Sequence, residues 1–313
     1  MDYDIKILGE DDDNGLMEFD RLNLLTKSTK DIATKALMLW LKGFSDIIPD
    51  KNLKRALAMR LKGISGSGLE GTSLTIDCNY FSETIKGLQF EIFKPNDEVL
   101  KLTPMALVIN SFRAALSEGS IESDLDKPLL KSLLGFKKNF ISDNEVFYLA
   151  NRGSIEDIRL TKDDFQKIGL LEDSIPEPNK VIINGHLDEM KISKGKLGLQ
   201  TAQGFVNVFA NEKSIIENII KFINKEVTIS GVAHYKPNGQ LSFIEIQEFG
   251  EPNTNDRFFS KNPNAMTAQQ QLLFQVKHKK KTSSLSALKS ITGLLKDDIS
   301  EEQFNEMLKD IHR

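Results

Sequence analysis

The sequence predicts an α+β protein: a mixed α/β N-terminal domain, then a five-stranded β-barrel, then a helical C-terminal arm. Three observations carry this reading. From Lys180 to about Phe249, apolar residues alternate with period two in three runs, switch once to helical spacing, and return to period two in two more runs. Residues 1–171 intersperse helical and strand-like stretches and read as one mixed domain. Residues 172–179 carry Pro176 and Pro178 among acidic residues, which reads as a linker, and after Gly250 the chain turns polar and rich in Asn and Gln. The expected parts are therefore a domain over 1–171, a linker over 172–179, a barrel over 180–250, a polar linker over 251–276 and an amphipathic arm over 277–313.

The 313 residues suffice for two domains with sizeable cores. Lys and Arg number 41 against 45 Asp and Glu, so the net charge is -4; a globally basic nucleic-acid binder is not indicated, and only a local patch fits. Cys78 is the single cysteine, so no intramolecular disulfide can form. It sits in the alternating run Leu74-Thr75-Ile76-Asp77-Cys78 and reads as a small core residue rather than a nucleophile. The start, Met1-Asp2-Tyr3-Asp4, lacks an apolar leader, and no apolar run approaches the roughly 18 residues of a membrane span. The expected location is the cytoplasm, with no membrane partner.

In order along the chain, residues 4–9 form a strand. The acidic turn after it starts like a calcium loop, Glu10-x-Asp12-x-Asn14-Gly15, but position twelve is Arg21 instead of glutamate. A helix runs from near Phe19 to Lys42, with Leu22, Leu25, Thr29, Ile32, Ala36 and Leu39 on one face, and Trp40 beside that stripe reads as core. Strands over 56–64 and 72–79 flank a segment containing Gly66-x-Gly68-x-x-Gly71. A dinucleotide fingerprint needs a helix after its glycines; here a period-two run follows, so the segment reads as a hairpin loop. Thr103-Pro104 opens a helix with a good cap and a suitable first residue. Asp126-Lys127-Pro128 opens a second, with Leu129, Leu130, Leu133 and Leu134 at helical spacing. Strands over 145–149 and 155–160 precede a capping-box sequence, Thr161-Lys162-Asp163-Asp164, and a short helix through Ile168.

The barrel strands are led by Val181, Ile183 and Leu187; by Leu197 and Leu199; by residues 205–209; by 227–232; and by 241–246. Ile215, Ile216, Ile219, Ile220 and Ile223 place one helix between the third and fourth. Gly231 marks a bulge, and Lys236-Pro237-Asn238-Gly239 a hairpin turn. Three strands, a helix and two strands is the order of an OB-like barrel; the helix before the fourth strand favours this over an SH3-like barrel. Such barrels bind single strands through outward aromatics and basic rims. The candidates are Phe205 and Tyr235, with Lys191, Lys194, Lys196 and Lys236 around them; Phe209 and His234 are further possibilities.

Catalytic and metal signatures are missing from the sequence. The four histidines are scattered, and there is no cysteine pair, H-E-x-x-H, phosphate-binding P-loop or G-x-S-x-G. The chain reads as non-enzymatic, without cofactor or metal.

Lys277-His278-Lys279-Lys280-Lys281 is a compact basic run. Two short amphipathic segments follow, one with Leu285, Leu288, Ile291, Leu294 and Leu295, the other opening on Ser300 with Gln303 three residues on, then Phe304, Met307, Leu308 and Ile311. Helices this short are marginal alone. The stretch Gly293-Leu294-Leu295-Lys296-Asp297-Asp298-Ile299-Ser300-Glu301-Glu302-Gln303-Phe304 resembles the toxin-neutralising tails of small bacterial antitoxins, over roughly twenty residues. Residues 59–67 and 227–239 are similar to uncharacterised bacterial proteins with an OB-like domain. The expectation is a non-enzymatic cytoplasmic binding protein. It would engage a protein partner, a toxin or phage-defence effector, through Leu288, Leu294, Leu295, Phe304, Met307, Leu308 and Ile311. The alternative is single-stranded nucleic-acid binding by the barrel.

Overall fold

The computed structural model describes residues 1–9, 15–66, 71–85, 97–120, 123–151, 157–191, 195–253 and 256–263. The acidic turn at 10–14 and the arm at 277–313 lie outside the described residues.

Strand β1 (Asp2–Leu8) alternates strictly, with Tyr3, Ile5 and Ile7 buried. That pattern needs one covered face, and helices supply the cover. The first is α1 (Phe19–Lys42), which ends at Gly43 in the left-handed conformation that glycine adopts without strain. Next come α2 (Lys51–Ala56), β2 (Met59–Gly66) and β3 (Thr72–Cys78). Short α3 (Phe81–Thr84) and α4 (Asp97–Leu100) precede α5 (Pro104–Leu116), α6 (Lys127–Gly135), β4 (Val146–Asn151), β5 (Ile158–Thr161) and α7 (Asp164–Ser174). The five strands form one antiparallel sheet in the order β2-β3-β1-β4-β5.

Helix starts are fixed by side chains read in the sequence. Thr103 Oγ1 accepts from the Ala106 amide and donates to the Tyr3 hydroxyl at 2.7 Å, which ties the start of α5 to the central strand. Asp126 caps α6 by accepting from the Leu129 amide. The Asp164 carboxylate reaches back to the Thr161 amide and hydroxyl. A buried pair, Arg21 with Glu145 at 2.6 Å, joins α1 to the approach of β4.

The second half is a closed five-stranded barrel: β6 (Asn179–Lys191), β7 (Lys196–Thr201), β8 (Gly204–Phe209), then α8 (Lys213–Ile219), β9 (Glu226–Tyr235) and β10 (Leu241–Gly250). The strand order is β10-β8-β7-β6-β9. Closure comes from a short parallel pairing of β10 with β8, Ile244 opposite Val208 and Glu245 opposite Phe209. The chain is thus a mixture of helices and strands with a closed barrel, and the connectivity is compatible with an OB-like barrel. Gly231 lies where a Cβ would overlap the Glu245 carbonyl, and β10, not β9, carries the irregular register, between Ile246 and Glu248. The glycine marks a close approach of two backbones opposite a bulge.

Several elements differ from the sequence expectation. Helix α2 occupies the stretch just before β2; Asp50 caps it, accepting from the Asn52 and Leu53 amides at 2.8 Å each. Helix α7 continues to Ser174, into the expected linker. Ile175 is buried, and Lys127 Nζ donates to its carbonyl, so the proline segment is pinned rather than free. The first part of the expected polar linker also docks: Asp256 accepts from the Thr228 hydroxyl and the Asn253 amide, and Asn262 bonds Thr201 and Gln203. Met1–Ala265 accordingly forms one compact unit. On α8 the isoleucine stripe is uneven. Ile219 is fully buried, while Ile220 and Ile223 are more than a third exposed because a tighter turn follows the helix.

Candidate functional site

The sheet-and-helix layer meets the barrel along strands β8, β9 and β10. Gly43 ends α1, and the chain turns so that Phe44 enters an aromatic cluster. Its ring lies 4.8 Å from His234 and 5.0 Å from Phe243, and Phe209 lies 5.1 Å from Phe243. Such tilted and edge-on pairs suit the ring quadrupoles. Ser45 then binds Asp126 through both its amide and its hydroxyl. At the rim, Lys236 pairs with Asp124 at 2.7 Å.

This seam walls a cleft of about 1030 Å³. Among the described residues, seven lysines line it against four acidic residues: Lys27, Lys30, Lys35, Lys54, Lys127, Lys131 and Lys138 against Asp31, Asp46, Asp126 and Glu177. Of the α1 contributors, Lys27, Asp31 and Lys35 fall four residues apart and Lys30 lies three from Lys27, so they occupy the side away from the buried face. Lys35 pairs with Asp46 at 3.4 Å; Lys127 pairs with Glu172 and Glu177; Lys131 lies 3.9 Å from Glu172. Lys27, Lys30, Lys54 and Lys138 have no ion-pair partner among the described residues. All four are exposed.

His234, Phe44 and Phe243 stand at the barrel side of this cleft. The imidazole stacks on Phe243 at 4.5 Å, and its Nε2 lies 3.5 Å from a Glu245 carboxylate oxygen, too far for a well-formed hydrogen bond. Burial lowers the His234 pKa and outweighs the opposing pull of Glu245, so the ring is neutral at neutral pH. Burial also pushes the Asp126 carboxyl up, against the hydrogen bonds from Ser45 and Leu129 that favour its charged form. The anionic side of the cleft is thus partly occupied in structural bonding: Asp126 caps a helix, and Asp31 accepts from the Ser132 hydroxyl. The surplus of cations gives the cleft a positive local potential.

The barrel residues expected to bind nucleic acid are divided. Tyr235 is 4 % exposed and belongs to the barrel core, its hydroxyl donating to Asn179 at 2.6 Å. This replaces the expected outward position: the inward residues of β9 are Val227, Ile229, Gly231, Ala233 and Tyr235, and His234 faces out. Phe209 points outward but is covered by Phe44 and Gly43. Phe205 stays 48 % exposed, its ring lying over Gly198, where a Cβ would overlap it. Lys196 and Lys236 line a second cleft, between α1, α5 and the barrel. Lys191 opposes Lys196 in the β6–β7 register. Lys194 lies outside the described residues, as do Leu288, Leu294, Leu295, Phe304, Met307, Leu308 and Ile311.

The α1 and α6 lysines escaped sequence reading because each sits on the polar face of an amphipathic helix, where lysine is the common solvent-facing residue. Trp40, expected in the core, is 38 % exposed and lines the second cleft. Among the described residues, no group of three or more His, Cys, Asp or Glu is placed to hold a metal, and no helix is long and apolar enough to cross a membrane. Comparisons with protein-family models, with curated proteins and with solved structures found no match to this chain.

Proposed function

We propose that this protein binds single-stranded nucleic acid, with an OB-like barrel as scaffold and the lysine cleft as the track for the phosphate backbone. The observation that carries the reading is the convergence of Lys27, Lys30, Lys54 and Lys138 on one cleft beside the barrel, none of them with an ion-pair partner among the described residues. Lysines held near phosphates release counterions, and that release drives binding even in a chain of net charge -4. Phe205, exposed on the outer face of β8, offers a flat surface for a base. The mechanism is binding and orientation; no bond is made or broken.

The test is a fluorescence-anisotropy titration with a labelled oligothymidylate at low salt. Wild type is expected to bind saturably. A variant carrying Lys→Gln at 27, 30, 54 and 138, with an unchanged circular-dichroism spectrum, is expected to bind at least about tenfold more weakly. No binding by wild type, or equal binding by the variant, rejects the reading.

A second reading rests on sequence. The capped apolar stripe with Leu288, Leu294, Leu295, Phe304, Met307, Leu308 and Ile311, placed after a polar stretch, fits engagement of a protein partner such as a toxin or defence effector. Removing residues 277–313 and repeating an affinity pull-down tests it; unchanged recovery of a partner removes the arm's role.

A further inference from the structure

We propose that the second cleft binds a single nucleotide, with the base against Trp40 and the phosphate toward the lysine rim. This goes beyond strand binding in the first cleft and stands without it.

The cleft has a volume of about 740 Å³, within the range of small-molecule sites. Its walls come from α1, α5, the outer faces of β8 and β10, and the 123–125 segment before α6. Trp40 lines it from near the end of α1 and is 38 % exposed. No aromatic ring of a described residue stacks on the indole, and its N–H has no hydrogen-bond partner among them. A large aromatic surface left half open in a concave site favours a flat aromatic guest.

Two carboxamides face the same space, Asn110 from α5 and Asn207 from β8. Asn207 makes no side-chain hydrogen bond to a described residue. Asn110 has only a long contact, 3.4 Å, from Arg113 Nη1 to its oxygen, which leaves the amide donors open. Each carboxamide carries two donors and an acceptor, the pattern that pairs with the edge of a nucleobase. Leu39, Leu102 and Leu107 complete an apolar wall that inorganic phosphate alone would not use. Lys196 and Lys236 also line the cleft, and neither is without a partner. Lys236 is bonded to Asp124, whose side chain is 84 % exposed, so that pair is easily exchanged for a phosphate.

Trp40 is the only tryptophan, so its emission reports on this cleft alone. The experiment titrates full-length protein with AMP, CMP, ribose 5-phosphate and inorganic phosphate while following Trp40 fluorescence. The expected result is saturable quenching by at least one nucleotide and none by the two base-free phosphates. Asn207→Ala is expected to weaken binding, and Trp40→Ala, followed by calorimetry, to weaken it on the order of tenfold to a hundredfold, the value of one base stack. The variant lacking Lys27, Lys30, Lys54 and Lys138 is expected to keep nucleotide affinity, which separates this site from the first cleft. No spectral change and no heat at millimolar nucleotide overturns the proposal. Equal affinity for inorganic phosphate, or undiminished affinity in both Asn207→Ala and Trp40→Ala, overturns it as well.

Discussion

Phe44→Ala tests what joins the barrel to the sheet-and-helix layer. Phe44 is 8 % exposed, and among the described residues its small cluster holds Phe209 and Phe243 as further buried members, with Ile47 packed against it. Truncating a buried phenylalanine costs about 3–5 kcal/mol. The two ring contacts, to His234 and Phe243, account for about 0.5–1.5 kcal/mol each of that. The cluster is small and lies at a seam, where water can fill the space, so the lower end, about 3 kcal/mol, is expected. The assay is urea unfolding followed in parallel by far-ultraviolet circular dichroism and Trp40 fluorescence. Trp40 lies on α1, so its signal tracks the helical layer. Wild type should give coincident curves; the variant should give a lower midpoint and curves that separate as the two layers uncouple. Loss of the ring also opens His234 to solvent, so its proton titration, followed by NMR, should move up toward the ordinary histidine value. A loss below about 1 kcal/mol with coincident curves and an unmoved His234 would refute the role given to Phe44.

Two further predictions concern titration. The folded His234 pKa lies below its unfolded value, so between the two the unfolded chain holds more protons; His234 contributes stability that is complete above the ordinary histidine pKa and lost as pH falls through the lowered one. Asp126 has the opposite sign, its raised pKa favouring the folded state at acid pH, so the His234 share is read as the difference between wild type and His234→Phe in urea midpoints from about pH 7 to pH 5. Equal pH dependence of the two proteins would contradict it. Burial raises the Cys78 thiol to about 11, so a disulfide reagent at neutral pH should label it only as fast as the protein unfolds; rapid labelling of folded protein would contradict its place in the core.

Much of this architecture is local and hence legible. The α1 bounds follow from an apolar stripe ending at a glycine, and the α5 and α6 starts from Thr103 and Asp126 beside prolines. Period-two runs reveal barrel strands because one face is buried. What sequence conceals is convergence. Lys127 fastens the proline segment from 48 residues away, turning an apparent linker into a docked one. Phe44 follows the last turn of α1 and shows no periodicity, so its contact with the stacked His234 and Phe243 rings depends on tertiary packing alone. Lys27, Lys54 and Lys138 lie on separate elements, and only folding brings them to one cleft. Tyr235 carries a polar hydroxyl next to His234, which suggests an outward ring, but the alternation of β9 sends it inward to Asn179.

The most direct measurement is the salt dependence of oligothymidylate binding, wild type against the variant with Lys→Gln at 27, 30, 54 and 138. Each phosphate contact on a single strand adds about 0.7 to the slope of log affinity against log salt, so four contacts add about 2.8. A tenfold rise in salt should therefore weaken wild type roughly 600-fold more than the variant. Slopes that coincide would contradict the lysine cleft as the phosphate track.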